Sequence, residues 1–163
     1  MRFTLIDRIV SLDPGKSITA IKNLSLAEEY LADHFPGFPV MPGVLMVESL
    51  IQTGAWLMRR TEDFQYSTVL LKQARAVKFS SFVTPGQTLT VTTTVHEWNG
   101  SQCVLKGSGH VDGKQTVSAR LTLERSNLAD RNPDLAAADA YQISKSRQLF
   151  QQLWSEPAAE PQA

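Results

Sequence analysis

The chain has a single cysteine, Cys103, among 163 residues, which excludes an internal disulfide and any metal site built on several thiolates. It has no excess of charge: 16 lysines and arginines balance 16 aspartates and glutamates, so the markedly basic balance of nucleic-acid binders is missing. It has no apolar stretch near the roughly 20 residues that a membrane-spanning helix needs. Near the start, Asp7 and Arg8 interrupt the place where a secretion signal needs an unbroken apolar run. These absences, with a length suited to one domain and a real core, predict a soluble, intracellular, cytoplasmic protein.

What is present is concentrated in one stretch. From His34 to Gln52 a loop stiffened by Pro36, Pro39 and Pro42 carries one histidine and feeds through Gly43 into an apolar segment holding one carboxylate, Glu48. Proline fixes φ, so such a loop can hold an imidazole in one place. Pro42 is suited to the first helical position, and a helix is expected from Val44 to about Arg59, apolar on most faces and therefore central. Gly54 costs a helix interior about 1 kcal/mol, which predicts a close backbone contact there.

Around that helix the pattern is β. Ile6 to Leu12 and Ser17 to Leu24 flank an Asp13-Pro14-Gly15-Lys16 turn and read as a hairpin. Ser25 followed by Glu28 has the form of a capping box and predicts a short helix from Leu26 to about Ala32. Ser67–Ala76 and Val77–Val83 are two strand candidates, and Thr88–Trp98, Gln102–Val111 and Thr116–Glu124 are three more. The last three are joined by Asn99-Gly100 and Asp112-Gly113 turns. Val117, Ala119, Leu121 and Leu123 should share the inner face. The fold class is α+β, with a hot-dog arrangement of one long helix wrapped by a curved antiparallel sheet; periodicity by itself also admits other α+β folds. Three segments follow: 1–125 as this domain, 126–156 as a linker and amphipathic helix, and 157–163 as a disordered tail. In the added helix, expected from Asp134 to Trp154, Ile143, Arg147, Phe150 and Trp154 fall on one docking face.

His34-Phe35-Pro36-Gly37, then Pro42-Gly43-Val44-Leu45, then Glu48 and Gln52 give the chain a specific likeness. It resembles the β-hydroxyacyl-acyl-carrier-protein dehydratases of bacterial fatty-acid synthesis. The likeness extends through Asp7-Arg8, Lys22-Asn23, Lys78-Phe79, Val83 and Pro85-Gly86, and so covers about Leu5 to Arg125. It implies a hot-dog fold and a dimer or trimer of dimers, with each site taking histidine from one subunit and the acid from the other. It implies His34 as base, Glu48 as acid and the Gly43 backbone N–H as donor to the thioester oxygen. It also implies an acyl carrier protein as partner. Glutamate at the acid position favours simple dehydration over accompanying isomerisation.

The chemistry suits those residues. Dehydrating a 3-hydroxyacyl thioester takes a proton from C2 and expels hydroxide from C3, which must be protonated as it leaves. Histidine is poised near neutrality as a base, and a carboxyl desolvated in an apolar helix can serve as an acid. An N–H at a helix N-terminus suits the negative thioester oxygen. Gln52, one turn after Glu48, could fix its rotamer. No metal or organic cofactor is required.

Taken singly, a loop histidine and a helical glutamate are ordinary structural residues; their joint setting makes them a candidate pair. His96 and His110 lie in strand segments with no acid at a telling spacing and read as structural, and Cys103 reads as core. Arg75, Lys78, Arg120 and Arg125 could form a basic rim for an acidic carrier. Asp33 stands where the family usually has glycine, and a carboxylate beside His34 would favour the weaker-base imidazolium unless it points away. Gln87 replaces a common aspartate. Two other readings stay open: a hot-dog thioesterase, and a non-catalytic protein that binds acyl carriers through its C-terminal helix.

Overall fold

The structure is a computed structural model that describes residues 3–154; the tail expected at 157–163 lies outside them. Strands β1 (Arg8–Asp13) and β2 (Ser17–Asn23) form the opening hairpin, and helix α1 runs from Gly43 to Thr61. Then come β3 (Thr68–Phe79), β4 (Thr88–Asn99), β5 (Gln102–Val111) and β6 (Lys114–Ser126), and finally helix α2 (Ala136–Leu153). The six strands make one sheet in the order β1-β2-β4-β5-β6-β3, with every neighbouring pair antiparallel.

Alternation decides which face is core. Leu89 and Val91 from β4, Cys103 and Leu105 from β5, and Val117, Leu121 and Leu123 from β6 are completely buried, and Ala119 nearly so. They pack with Leu50, Leu57 and Met58 of α1. The helix touches β2 through β6, and Gly54 is what lets it approach. A Cβ there would stand 2.5 Å from Leu105 Cδ1 and 3.2 Å from Leu123 Cδ1, closer than real side chains come. The close contact expected at Gly54 is therefore with side chains of the sheet.

Several local expectations are corrected. Pro42 is the cap rather than the first helical residue, with an extended ψ of 136°. The segment after Ser25 forms only a single 3-10 turn, Glu29–Leu31, and no capping box closes it. Glu28 reaches across to Lys22 instead, at 2.7 Å, where Asp7 also stands 3.3 Å from the same buried ammonium. An ion pair to a buried cation outcompetes a local cap. The two candidate strands between Ser67 and Val83 are one strand ending at Phe79. Ala76 takes a positive φ of 50° and breaks the register with β6 between Arg75 and Lys78, the local signature of a bulge. Val83 lies beyond the strand, fully buried, and its carbonyl accepts the Met41 N–H at 2.9 Å.

Helix α2 begins two residues later than expected, after a 3-10 turn at Pro133–Leu135 in which the Asn132 side chain accepts the Asp134 N–H. Its expected docking face is real. Phe150 packs edge-on to Phe64 at 5.3 Å and against Trp56 at 6.1 Å. Arg147 bonds the Asp63 carboxylate and carbonyl, and Ile143 and Trp154 lie against the core. The sequence reading missed Asp139. Its buried carboxylate accepts the Leu128 and Ala129 N–H groups, each at 2.9 Å, and the Ser67 hydroxyl, and so anchors the start of α2 to the body.

Candidate active site

The loop before α1 is fixed largely by its own backbone. The Val40 N–H donates to the His34 carbonyl at 3.0 Å, and Phe35 and Phe38 exchange backbone hydrogen bonds at 3.2 and 2.9 Å. The His34 ring is stacked on Phe35 with centroids 4.1 Å apart. Its Nδ1 donates to the Val40 carbonyl at 3.0 Å. Because a carbonyl only accepts, the proton of the neutral ring sits on Nδ1, leaving Nε2 with its lone pair. Asp33 is exposed, and Val40 rather than Asp33 holds Nδ1.

His34 opens on a cavity of about 650 Å³ shared with Gly43, Val44, Met46, Phe79 and Phe82. Gly43 is the first residue of α1, so its N–H has no acceptor within the helix and lies at the positive end of the helix dipole. Glycine is needed there because the ring of Phe79 fills the space a side chain would take. A Cβ at this position would stand 2.9 Å from Phe79 Cε1 and 3.0 Å from Cζ.

Glu48 does not share that cavity. It lines a second one, of about 320 Å³, with Gln52, Trp56, Arg59 and, from α2, Leu149 and Leu153. Gln52 ties it down, donating from Nε2 to Glu48 Oε1 at 3.0 Å and to the Phe3 carbonyl at 2.8 Å, while its Oε1 accepts the Leu5 N–H at 2.9 Å. One protomer thus groups His34 with Gly43, and Glu48 with Gln52, in separate places.

The other candidates sort cleanly. His96 is exposed and His110 half-buried, and neither lines these two cavities. Cys103 is buried in β5, and burial pushes its thiol up to about 12, far from the depressed value a reactive cysteine needs. Arg75, Lys78 and Arg120 meet with Lys106 around one groove. Arg125 is elsewhere, with Nε 2.5 Å from Glu62 and its guanidinium 4.2 Å above the Tyr66 ring, so the expected rim gains Lys106 and loses Arg125. Among the described residues no three or more His, Cys, Asp or Glu side chains group so as to hold a metal ion, and no helix is long and apolar enough to cross a membrane.

Comparison with known proteins agrees with this architecture. The dehydratase heterocomplex ApeI:P from Xenorhabdus doucetiae superposes with a TM-score of 0.66 at 15% identity, over 82% of this chain and 90% of that one. The protein smu.793 from Streptococcus mutans, solved with acetyl CoA, does so with 0.60 at 13%, over 78% and 94%. These place the chain in the hot-dog class. A FabA-like domain model matches residues 1–120. A 3-hydroxyacyl-[acyl-carrier-protein] dehydratase FabZ of Wolbachia from Drosophila simulans is 40% identical over 73% of this chain and 86% of its own length. The FabZ of Levilactobacillus brevis is 39% identical over 72% and 79%. The FabZ of Wolbachia pipientis wMel reaches 47% over a shorter match, 53% of this chain and 61% of its own length. The chain belongs to this FabA-like family of hot-dog dehydratases. The family match stops before α2.

Proposed function

We propose that the protein dehydrates (3R)-hydroxyacyl-acyl-carrier-protein thioesters to trans-2-enoyl thioesters in fatty-acid or related acyl-chain synthesis. The observation that carries the residue assignment is the Nδ1 bond of His34 to Val40, which leaves Nε2 as the basic atom of a ring that lines an apolar cavity. Nε2 takes the C2 proton, and the charge that gathers on the thioester oxygen is met by the Gly43 N–H at the head of α1. Glu48, held by Gln52, gives its proton to the C3 hydroxyl as the C–O bond breaks and water leaves. A proton then returns from His34 to Glu48 to reset the pair. No cofactor enters this sequence of steps.

The catalytic pair is completed across a homodimer, His34 of one protomer working with Glu48 of its partner, and a trimer of dimers is the larger assembly the family suggests. The support is an unfinished surface. The edge strand β3 leaves Leu70 and Phe79 64% and 53% exposed, and Val44 at the head of α1 is 73% exposed beside it. A long apolar edge strand calls for a partner. The Arg75, Lys78, Lys106 and Arg120 groove offers a docking face for an acidic carrier, since none of the four makes an ion pair among the described residues. A cytoplasmic setting belongs to the same reading.

The test is to incubate the protein with 3-hydroxyacyl thioesters and follow enoyl absorbance. His34→Ala and Glu48→Gln should each lower kcat by roughly 100- to 10,000-fold, as expected for loss of a positioned acid or base. Activity surviving both changes overturns the assignment. Release of free thiol without an enoyl signal would mark a thioesterase, and carrier binding without turnover a scaffold.

A further inference from the structure

The cavity behind Glu48 has a wall that the family model does not include. Its lining begins on α1 with Glu48 and Gln52 and continues along the same helix face through Ala55 to Arg59, at spacings that align on one side. Eleven residues at 1.5 Å rise put roughly 16 Å between the two ends. Leu149 and Leu153 of α2 line the opposite side, although α2 lies beyond the matched residues 1–120. This wall is firmly mounted. Phe150 is wedged between Trp56 and Phe64, Arg147 grips Asp63, and Asp139 ties the start of α2 to Leu128, Ala129 and Ser67.

The far end is also polar. Among the described residues Arg59 Nε is buried without a hydrogen-bond partner, and the guanidinium lies 5.3 Å from the Trp56 ring centroid. Burial lowers its pKa to about 10, so it remains a cation at neutral pH. A hydrocarbon tail pushed past such a group would strip it of water without offering a hydrogen bond. Arg59 therefore adds a polar barrier to the steric one from Leu149 and Leu153.

We propose that α2 and Arg59 form an end stop for the acyl chain, with Leu149 and Leu153 setting how far the tail can run past Glu48, so that the enzyme turns over chains only up to that length. This rests on the dehydratase reading. Up to the stop, each two-carbon extension should raise kcat/KM by roughly tenfold, from the apolar surface it buries; beyond it, kcat/KM should fall.

The experiment uses the full chain and a ladder of 3-hydroxyacyl thioesters from the four-carbon to the twenty-carbon acid, followed by enoyl absorbance. Leu149→Ala and Leu153→Ala should move the optimum to longer chains by at least one two-carbon step, while Leu149→Trp should move it shorter. Arg59→Met should lengthen the optimum in the same direction as the alanine variants. Tyr141→Ala, on the exposed side of α2, should leave the ladder unchanged. Circular dichroism matching that of the unaltered protein shows that a variant is folded. An unchanged optimum in folded Leu149→Ala and Leu149→Trp overturns the end stop. Failure of the unaltered protein to dehydrate any length overturns the reaction itself, a separate result.

Discussion

The two cavities that border α1 are built from unlike material. The one holding His34 is walled by an exposed loop, the head of α1 and aromatic side chains of and just after the edge strand β3, with Phe79 and Phe82 still more than half exposed. The one holding Glu48 is about as open, but it is lined by α1 together with the anchored α2. The first exposes aromatic surface of the edge strand; the second borrows part of its lining from the added helix. Loop and helix deliver His34 to one cavity and Glu48 to another, so residues of one motif need not line one pocket.

The largest effect should come from mixing subunits. His34→Ala and Glu48→Gln proteins, each inactive alone, should regain about a quarter of normal activity when unfolded together and refolded, because a two-fold dimer of the two variants keeps one intact site. Recovery near zero would place both residues in one protomer's site and erase the distinction between the cavities. Gly43→Ala comes next. The new methyl would meet the Phe79 ring at 2.9 Å and must push it from the cavity wall, so kcat/KM should fall by about tenfold or more for an overpacking cost of about 1–3 kcal/mol. Phe79→Leu in the same chain should return part of that loss. No recovery would mean the damage lies at the N–H and not at the wall.

How much of this was legible beforehand depended on where each residue's partner lies. The β4–β5 and β5–β6 turns, the buried faces of those strands and the central helix follow from neighbours in sequence, and they stand as expected. So does the docking face of α2, whose residues share a helical period. The misreadings involve distant partners. Glu28 looked like half of a local cap, but Lys22 on the adjoining strand claims it. Arg125 looked like a rim cation, but Glu62 at the end of α1 takes it. The break within β3 comes from the positive φ of Ala76, a conformation alanine gives no warning of. Asp139 was passed over because a single acid in the first turns of a helix usually answers the helix dipole; here its oxygens are bound by Ser67 and by the backbone before α2. His34, Gly43, Glu48 and Gln52 were named from the motif, but only the structure separates them into two cavities.

A smaller effect tests how Glu48 is held. Gln52→Leu removes the 3.0 Å bond to Glu48 and leaves the Leu5 N–H without its acceptor. An unpaired amide costs about 1–3 kcal/mol, so the melting temperature should drop by several degrees. If Gln52 positions the acid, kcat should fall by about five- to tenfold with KM little changed, since one hydrogen bond contributes about 1 kcal/mol. Gln52→Glu, which keeps the length and loses the donor to Glu48, should not rescue kcat. A stability loss with unaltered kcat would make Gln52 a purely structural strut.

The smallest effect concerns the α2 lining of the Glu48 cavity, and acid should loosen it before the rest of the fold. Burial alone would raise the Asp139 pKa, but the Ser67 hydroxyl and the Ala129 and Leu128 N–H groups outweigh it and hold the carboxyl below its ordinary value. Asp63 is likewise held low, by its hydrogen bond and charge pairing with Arg147. A carboxyl with a depressed folded pKa contributes stability that is complete above its unfolded value of about 3.9 and is lost as pH falls through the folded one. Docking of α2 should therefore be constant from neutrality to about pH 5 and weaken below pH 4. Tryptophan fluorescence should report it, because Trp56 and Trp154 both sit at the α2 contact. Asp139→Asn supplies an amide where two backbone N–H groups seek an oxygen, so it should show the loosened signal already at neutral pH and a flatter acid response. If the variant titrates like the unaltered protein, the anchor lies in Phe150 and its aromatic neighbours, and the wall of the Glu48 cavity is held by packing alone.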